Sequence, residues 1–249
     1  MDPSSAPSQN RVGRVDDRTV QALWGVVLFL VFIGIVGTVL RTAILLFQPD
    51  FGDAFVAQHP GLGIAHADDV RFARHASLTF VHVISAFFFA VLGPWQFVPR
   101  IRSKMLWFHR WSGRVFVISA TVAGVSGLLL GFTTAMELGG VSEAAPIFVF
   151  APILLFSLGK AMFHILRREV AQHREWMLRV FAIGLGAGTD RIVALPFLLS
   201  PSVRQAPGEF IGITFWISFT INVVAAELWI RYTRPESLWF RPAQSGQPG

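Results

Sequence analysis

Polar side chains inside long apolar stretches are the residues of this sequence whose positions suggest chemistry. Ionisable groups are costly to place in lipid, so each of them is a candidate functional residue. Six residues have this placement: His82, Lys160, Asp190, Arg191, Asn222 and Glu227. Aligned along an interior path, they would suit a small-solute or proton-coupled transporter, which needs a polar cavity near the middle of the membrane.

Helical geometry predicts how some of these residues pair. Glu227 lies one turn before Arg231 and at a depth similar to that of Lys160, so either cation could neutralise it. Asp190 and Arg191 are adjacent in the sequence and therefore point about 100° apart on a helix. We expect these two side chains to have different partners.

Three histidines at the ends of apolar stretches suggest a second kind of chemistry. A b-type haem needs two imidazoles from different helices, one on each side of the iron. His109, His164 and His173 are placed to supply them. A haem-binding or redox membrane subunit is therefore the leading chemical hypothesis, with haem b as a possible cofactor. The alternatives are the transporter and an accessory or scaffold membrane protein without a ligand. Alternatively, these imidazoles bond phosphates, waters or backbone at the membrane interface.

Arginines beside these histidines could clamp an anion. The connections Pro99–Trp111 and Arg167–Trp176 each place a His-Arg pair near Trp, at the level of the lipid headgroups. If the two connections dock on each other, their guanidinium groups can bind a phosphate or a carboxylate. The arginines concerned are Arg110, Arg114, Arg174 and Arg179. Simple anchoring in the headgroup layer is the alternative.

The stretch Gln48–His75 collects imidazoles and carboxylates without forming a recognisable metal motif. Its candidate ligands are His59, His66, Asp68, Asp69 and His75. Because their spacing matches no compact ligand set, we expect a solvated loop and no metal site. The sequence also lacks GxSxG, HExxH and phosphate-loop motifs, so an enzymatic activity has no positive support.

The elements that must position these residues are transmembrane helices. The 249 residues are 53% hydrophobic and 14% charged, with a mean hydropathy of +0.55, whereas soluble domains are about 25% charged. Cysteine is absent, which excludes disulfides, iron–sulfur clusters and thioether-linked haem.

Six apolar segments are long enough to cross the hydrocarbon core as helices, which predicts an all-α bundle. These segments are residues 20–40, 76–98, 115–132, 144–166, 177–199 and 210–232.

The distribution of basic residues predicts how the bundle is oriented. Sixteen of the 21 Lys and Arg residues fall in the two ends of the chain or around the second and fourth connections. Basic residues are retained on the cytoplasmic side, so both termini are predicted to be cytoplasmic, in agreement with an even number of spans. A net charge of +6 spread over one membrane face favours anionic lipid headgroups as partners, not nucleic acid.

The domain organisation follows from the same pattern. We expect residues 19–234 to form one transmembrane domain, with disordered cytoplasmic tails over residues 1–18 and 235–249.

Small residues at every fourth position predict that the third, fifth and sixth spans lie in the interior, because helices in lipid associate where their backbones can approach closely. These positions are Ser119, Ala123, Gly127 and Gly131, then Gly184 and Gly188, then Thr214, Ser218, Asn222 and Ala226.

Three motifs carry a family resemblance: Gly93-Pro94-Trp95-Gln96-Phe97-Val98-Pro99-Arg100, His109-Arg110-Trp111-Ser112-Gly113-Arg114-Val115-Phe116 and His173-Arg174-Glu175-Trp176-Met177-Leu178-Arg179. Together they resemble the bacterial membrane family catalogued as domain of unknown function 2306, over roughly Arg71–Arg231. The resemblance implies a multi-pass protein of the bacterial plasma membrane and brings no established reaction, substrate or cofactor. The family's motif positions match His82, Gln96, His109, Arg110, Gly113, Arg114, His173, Arg174 and Arg179.

Overall fold

The computed structural model of the protein describes residues 16–47, 74–136, 140–198 and 207–234. All of the elements in these ranges are helices. They are α1 (Asp17–Phe47), α2 (Ala76–Phe97), α3 (Pro99–Lys104), α4 (Leu106–Leu130), α5 (Gly140–Leu166), α6 (Val170–Gly184), α7 (Gly186–Leu198) and α8 (Pro207–Thr233). A π-helical turn, Gly131–Ala135, continues α4.

Six stretches of these helices are long and apolar enough to cross a membrane, which confirms the predicted all-α bundle of six spans. α1, α2, α5 and α8 each contribute one span. The third span combines α4 with its π-helical turn, and the fifth combines α6 and α7, which are separated only at Leu185. α2 packs mainly against α4, α5 against α6, and α8 against α7 and α5.

The third and fifth spans begin earlier than the sequence predicts. α4 begins at Leu106 and not at residue 115, and α6 begins at Val170 and not at residue 177. A prediction from apolarity alone places the end of a segment at its first charged residue. The helix itself extends further, because long basic side chains can reach the membrane–water interface. His109 and His173 therefore lie in the first turns of helices. α1 begins at Asp17, inside the predicted amino-terminal tail, and the rest of both tails lies outside the described residues.

The small-residue faces lie inside the bundle, as predicted. Ser119 on α4, Gly188 on α7 and Ser218 on α8 are buried, and Ala123 and Gly127 on α4 are half-buried. Lipid provides no hydrophobic force between helices, so helix association depends on close contact between backbones at these small residues.

Four phenylalanines fill the space between α2, α4 and α6. The rings of Phe89 and Phe116 stack with their centroids 4.7 Å apart. Phe181 contacts both of them and also Phe97, at centroid distances of 5.9, 6.5 and 5.3 Å. Offset and tilted ring pairs of this kind add to the packing energy of the area they bury. We call these four residues the aromatic core.

Two glycines make room for the aromatic core. A Cβ added at Gly93 would lie 2.2 Å from the ring of Phe181, and one added at Gly184 would lie 2.1 Å from the ring of Phe89. Both distances are far below van der Waals contact, so the rings occupy the space that a side chain would need. The family motif that begins at Gly93 therefore has a packing role.

Two hydrogen-bonded contacts join α2 to α4 at different depths. Gln96 donates from Nε2 to Ser112 Oγ at 2.8 Å, and both side chains are buried. A Cβ at Gly113 would lie 3.1 Å from Gln96 Oε1, so this glycine lets the amide approach. Towards the other end of the two helices, His82 Nδ1 lies 3.1 Å from the carbonyl oxygen of Ala123. These contacts fix the register of the two helices.

α1 docks on α7 through a close backbone crossing. A Cβ at Gly188 would lie 2.4 Å from the carbonyl oxygen of Leu30, so only glycine permits this approach. The guanidinium of Arg191 lies against Gly37, and its Nη2 donates to Thr38 Oγ1 at 2.9 Å. A charged side chain inside a span thus acts as a polar link between the first and fifth spans.

Candidate functional site

One end of the bundle concentrates positive charge. α3, the start of α4 and the start of α6 meet there, which brings basic side chains from the two predicted connections together. His109 interacts electrostatically with Arg102, Arg110 and His173, and Arg102 interacts with Arg174. We call these five residues the basic cluster. These electrostatic interactions are consistent with the predicted docking of the two His-Arg motifs, which stays a prediction.

The two histidines of the basic cluster differ in their hydrogen bonding. His173 Nδ1 lies 2.9 Å from the carbonyl oxygen of Ala161 at the end of α5. Because a carbonyl only accepts, Nδ1 carries the proton, and the lone pair of the neutral ring lies on Nε2. His109 Nδ1 is enclosed and has no hydrogen-bond partner among the described residues. An enclosed imidazole nitrogen without a partner is costly unless something else satisfies it.

The electrostatics of the cluster are those of a cation-rich, partly desolvated site. Burial lowers the pKa of the Arg102 guanidinium, and the nearby charge of Arg174 lowers it further. Arg110 and Arg174 themselves are exposed. Burial and the charge of Arg174 both disfavour the charged form of Arg102. An anion bound between the two arginines would offset these costs and would itself be stabilised.

Three carboxylates at the same end of the bundle are each bound by a side chain outside the basic cluster. Glu169 Oε2 lies 2.5 Å from His164 Nδ1. Glu175 accepts two hydrogen bonds from Arg234, whose pKa is raised mainly by this contact. The third is Glu227, described below. Within the described ranges, no ion pair joins a carboxylate to Arg102, Arg110 or Arg174.

Glu227 pairs with Arg179, where the sequence suggested Arg231 or Lys160. Arg179 donates from Nε to Glu227 Oε1 at 2.5 Å and from Nη2 to Oε2 at 3.0 Å. This contact joins α6 to α8. The Arg179 guanidinium also lies over the ring of Trp176, with Cζ 4.5 Å from the ring centroid. Arg179 therefore contributes to an ion pair and not to the basic cluster.

Two further basic side chains lie on aromatic rings. The guanidinium Cζ of Arg114, which the sequence assigned to the anion clamp, is 4.8 Å from the centroid of Trp111. Lys160 Nζ lies 5.5 Å from the ring centroid of Phe163 and 5.9 Å from that of Trp176. Contacts of this kind are typical of cations at a membrane interface. Of the four predicted clamp residues, the structure brings only Arg110 and Arg174 into the basic cluster.

The other intramembrane polar residues are distributed over separate contacts. His82 joins α2 to α4, and Arg191 joins α7 to α1. Asn222 and Thr189 exchange hydrogen bonds of 3.0 and 3.1 Å between α8 and α7, and both are buried. Asp190 is half-buried next to this pair in sequence. Asn222, His82 and Arg191 thus link different pairs of helices in this structure.

Sequence reasoning missed several members of these contacts. These are Arg102, Thr189 and Thr38, which no motif or apolar pattern marks in the sequence. Threonine is common on apolar helices, so only the depth of Thr189 relative to Asn222 could have indicated the pair. The predicted loop candidates His59, His66, Asp68 and Asp69 lie outside the described residues. In the part of the chain that is described, no group of three or more His, Asp or Glu residues is arranged to hold a metal ion.

Comparison with known proteins agrees with the motifs. No curated protein and no solved structure matches this chain. The family described as a predicted membrane protein, DUF2306, matches residues 79–230. This range contains most of α2, all of α3 to α7, most of α8 and all of the basic cluster, and it leaves out α1. The six spans and this match together place the chain in the DUF2306 family of multi-pass integral membrane proteins.

Proposed function

We propose that this integral membrane protein binds an anionic group, a phosphate or a carboxylate, at the basic cluster. The observation that carries the proposal is the charge balance of the site. Arg102 interacts with Arg174, and His109 interacts with Arg102 and Arg110, and none of the three arginines has a paired carboxylate among the described residues. The nearby Glu169 and Glu175 already bind His164 and Arg234. A bound anion would relieve the repulsion between the guanidinium groups and accept charge-assisted hydrogen bonds from them.

The experiment is a ligand titration of detergent-purified, full-length protein. Thermal unfolding is followed with inorganic phosphate, dioctanoyl phosphatidylglycerol or dioctanoyl phosphatidylcholine as the added ligand. We expect phosphate or the anionic lipid to raise the unfolding temperature in a saturable manner, because a ligand of the folded state stabilises it. A response to the lipid alone assigns the anion to a lipid headgroup, and a response to both assigns it to phosphate in general.

Matched charge variants locate the effect. Arg102→Gln and Arg174→Gln should each weaken anion binding by roughly 10- to 100-fold, since a hydrogen bond to a charged group contributes roughly 1.5–3 kcal/mol. Arg231→Gln removes the same charge from an exposed position at the end of α8 and should bind like the wild type. Equal binding by all three variants, or equal stabilisation by phosphatidylcholine, would contradict the proposal.

We also propose that the protein resides in a bacterial plasma membrane with the basic cluster and both termini on the cytoplasmic side. The accumulation of Lys and Arg at one end of the bundle supports this orientation. Alkaline phosphatase is active only outside the cytoplasm. Fused after residue 234 it should be inactive, and inserted at residues 137–139 it should be active. The reverse pattern would overturn the orientation.

Haem ligation by His109 and His173 is a second candidate function. The bond from His173 Nδ1 to the Ala161 carbonyl supports it, because ligating histidines commonly donate their other ring nitrogen to such an oxygen. Haem bound there would supply one-electron chemistry, and the neighbouring arginines could hold its carboxylates. The remaining histidine of the predicted set, His164, is joined to Glu169 and lies on α5.

An absorption spectrum tests the haem candidate directly. Protein purified from haem-replete cells should show a Soret band that is lost in His109→Ala and in His173→Ala. His82→Ala serves as the control, because His82 contacts α4 at a different depth and should leave the band intact. Colourless wild-type protein would exclude this function while leaving the anion proposal standing.

A further inference from the structure

A cleft of about 340 Å³ opens between α5, α6 and α8, next to the Arg179–Glu227 ion pair. Its polar groups are Ser157, Arg179 and Glu227, and Trp176 and Phe156 line it beside aliphatic side chains. The rings of Phe156 and Trp176 meet edge to face, with centroids 5.8 Å apart. The cleft therefore combines an apolar wall with a small set of hydrogen-bonding groups, as binding sites for small molecules usually do.

Ser157 lines this cleft and has a buried hydroxyl that no described residue satisfies. Serines on transmembrane helices usually donate to a carbonyl one turn back, and Ser85, Ser112 and Ser126 do so in this structure. Ser157 is only 1% exposed, and its hydroxyl has no hydrogen-bond partner among the described residues. A buried hydroxyl without a partner is costly, so an acceptor supplied by a ligand would relieve this cost.

The charge of the cleft favours a neutral ligand. Arg179 and Glu227 neutralise each other through two hydrogen bonds, and the Glu227 side chain remains 36% exposed. A second carboxylate would compete with Glu227 for the guanidinium. A neutral oxygen acceptor leaves the ion pair intact, and it can accept from Ser157 and from the remaining Arg179 N–H groups.

From these features we propose that the cleft binds a neutral, lipid-soluble molecule through a carbonyl oxygen. The carbonyl lies against Ser157 and Arg179, and the apolar body lies along Trp176 and Phe156. This site is separate from the basic cluster, and its ligand class differs from the anion proposed there. The carbonyl can come from the ester of a bilayer glycerolipid or from a freely diffusing compound such as a benzoquinone with an alkyl tail.

The test uses quenching of tryptophan fluorescence in full-length protein in detergent. A decyl-tailed benzoquinone should quench with a saturable component, and Trp176→Phe should remove that component because Trp176 lines the cleft. Ser157→Ala should weaken binding about fivefold, the effect of one neutral hydrogen bond. Ser85→Ala is the matched control, because it removes a buried hydroxyl that its own helix already satisfies, and should leave binding unchanged.

Competition separates the two sources of the carbonyl. Dioctanoylglycerol that displaces the benzoquinone assigns the site to glycerolipid esters, and failure to displace it assigns the site to a freely diffusing compound.

Ala226→Leu narrows the cleft from α8 and should also weaken binding, which keeps the test decisive if Ser157→Ala folds poorly. Strictly linear quenching, or equal affinity in wild type, Ser157→Ala and Ala226→Leu, would overturn the proposal.

Discussion

Replacing Gly184 with alanine tests whether the aromatic core determines how α2 and α6 pack. Gly184 is the last residue of α6, and its backbone conformation is one that any residue can adopt. The ring of Phe89 occupies the space that a side chain at this position would need. An alanine Cβ there would lie 2.1 Å from that ring. Gly159 on α5 is the matched control, because a Cβ there would meet nothing within 4 Å.

The two substitutions should have opposite effects on stability. Alanine in place of a helical glycine stabilises by about 0.5–1 kcal/mol, and this gain alone applies to Gly159→Ala. At Gly184 the gain is outweighed by overpacking, which costs about 1–3 kcal/mol. Phe89 cannot move freely, since it is buried and packed against Phe116 and Phe181. The two variants should therefore differ by about 2 kcal/mol, or roughly 4–8 °C in unfolding temperature.

The assay is thermal unfolding of both variants in the same detergent, together with the double variant Gly184→Ala/Phe89→Leu. Leucine at residue 89 removes the ring that clashes, so the double variant should lose less stability than the sum of its two single variants. If Gly184→Ala unfolds at the same temperature as Gly159→Ala, or above it, the packing described for the aromatic core is wrong.

Three further variants test other contacts. Arg179→Gln should destabilise by about 1 kcal/mol, because it leaves the charge of the partly exposed Glu227 without its partner, and adding Glu227→Gln should restore most of the loss in a thermal unfolding assay. Gln96→Leu should cost only about 1 kcal/mol in the same assay, because the Ser112 hydroxyl keeps its bond to the Phe108 carbonyl; a loss above 3 kcal/mol would contradict this. The hydrogen bond to Glu175 raises the pKa of Arg234, so the stability it adds is complete below the ordinary arginine pKa and is lost only as pH rises through the raised value. The difference in unfolding temperature between wild type and Arg234→Gln should therefore stay constant from about pH 7 to 10, and a decline across that range would refute the assignment.

The number and approximate position of the spans could be predicted from the sequence because lipid imposes them. A transmembrane helix must satisfy its own backbone hydrogen bonds and must cross a hydrocarbon core of fixed thickness. Together these two requirements set a minimum length of apolar sequence. The small-residue faces were predictable for a similar reason. Ser119 and Ser218 are buried where their spacing indicated, because close approach of backbones requires small side chains.

Partners across helices could not be predicted, because they depend on how each helix is rotated about its axis. Glu227 has basic residues near it on its own helix, but it pairs with Arg179, which is 48 residues earlier in the sequence. The same holds for the basic cluster, where Arg102 on the short helix α3 joins Arg174 on α6. Arg102 is half-buried because α3 docks against α2 and α4, and hydropathy carries no signal for that docking.

The crossing of α1 over α7 has a consequence for how the chain is made. Thr38 and Arg191 are separated by 153 residues, and ribosomes extend a chain at about 5–20 residues per second. The first helix must therefore remain in the bilayer for roughly 10–30 seconds before its main docking partner is synthesised. During that interval lipid solvates all of its surface except the part that packs against α2, so its long apolar stretch serves biogenesis as well as the finished protein. Shortening it should lower the yield of inserted chains even where the final contacts survive.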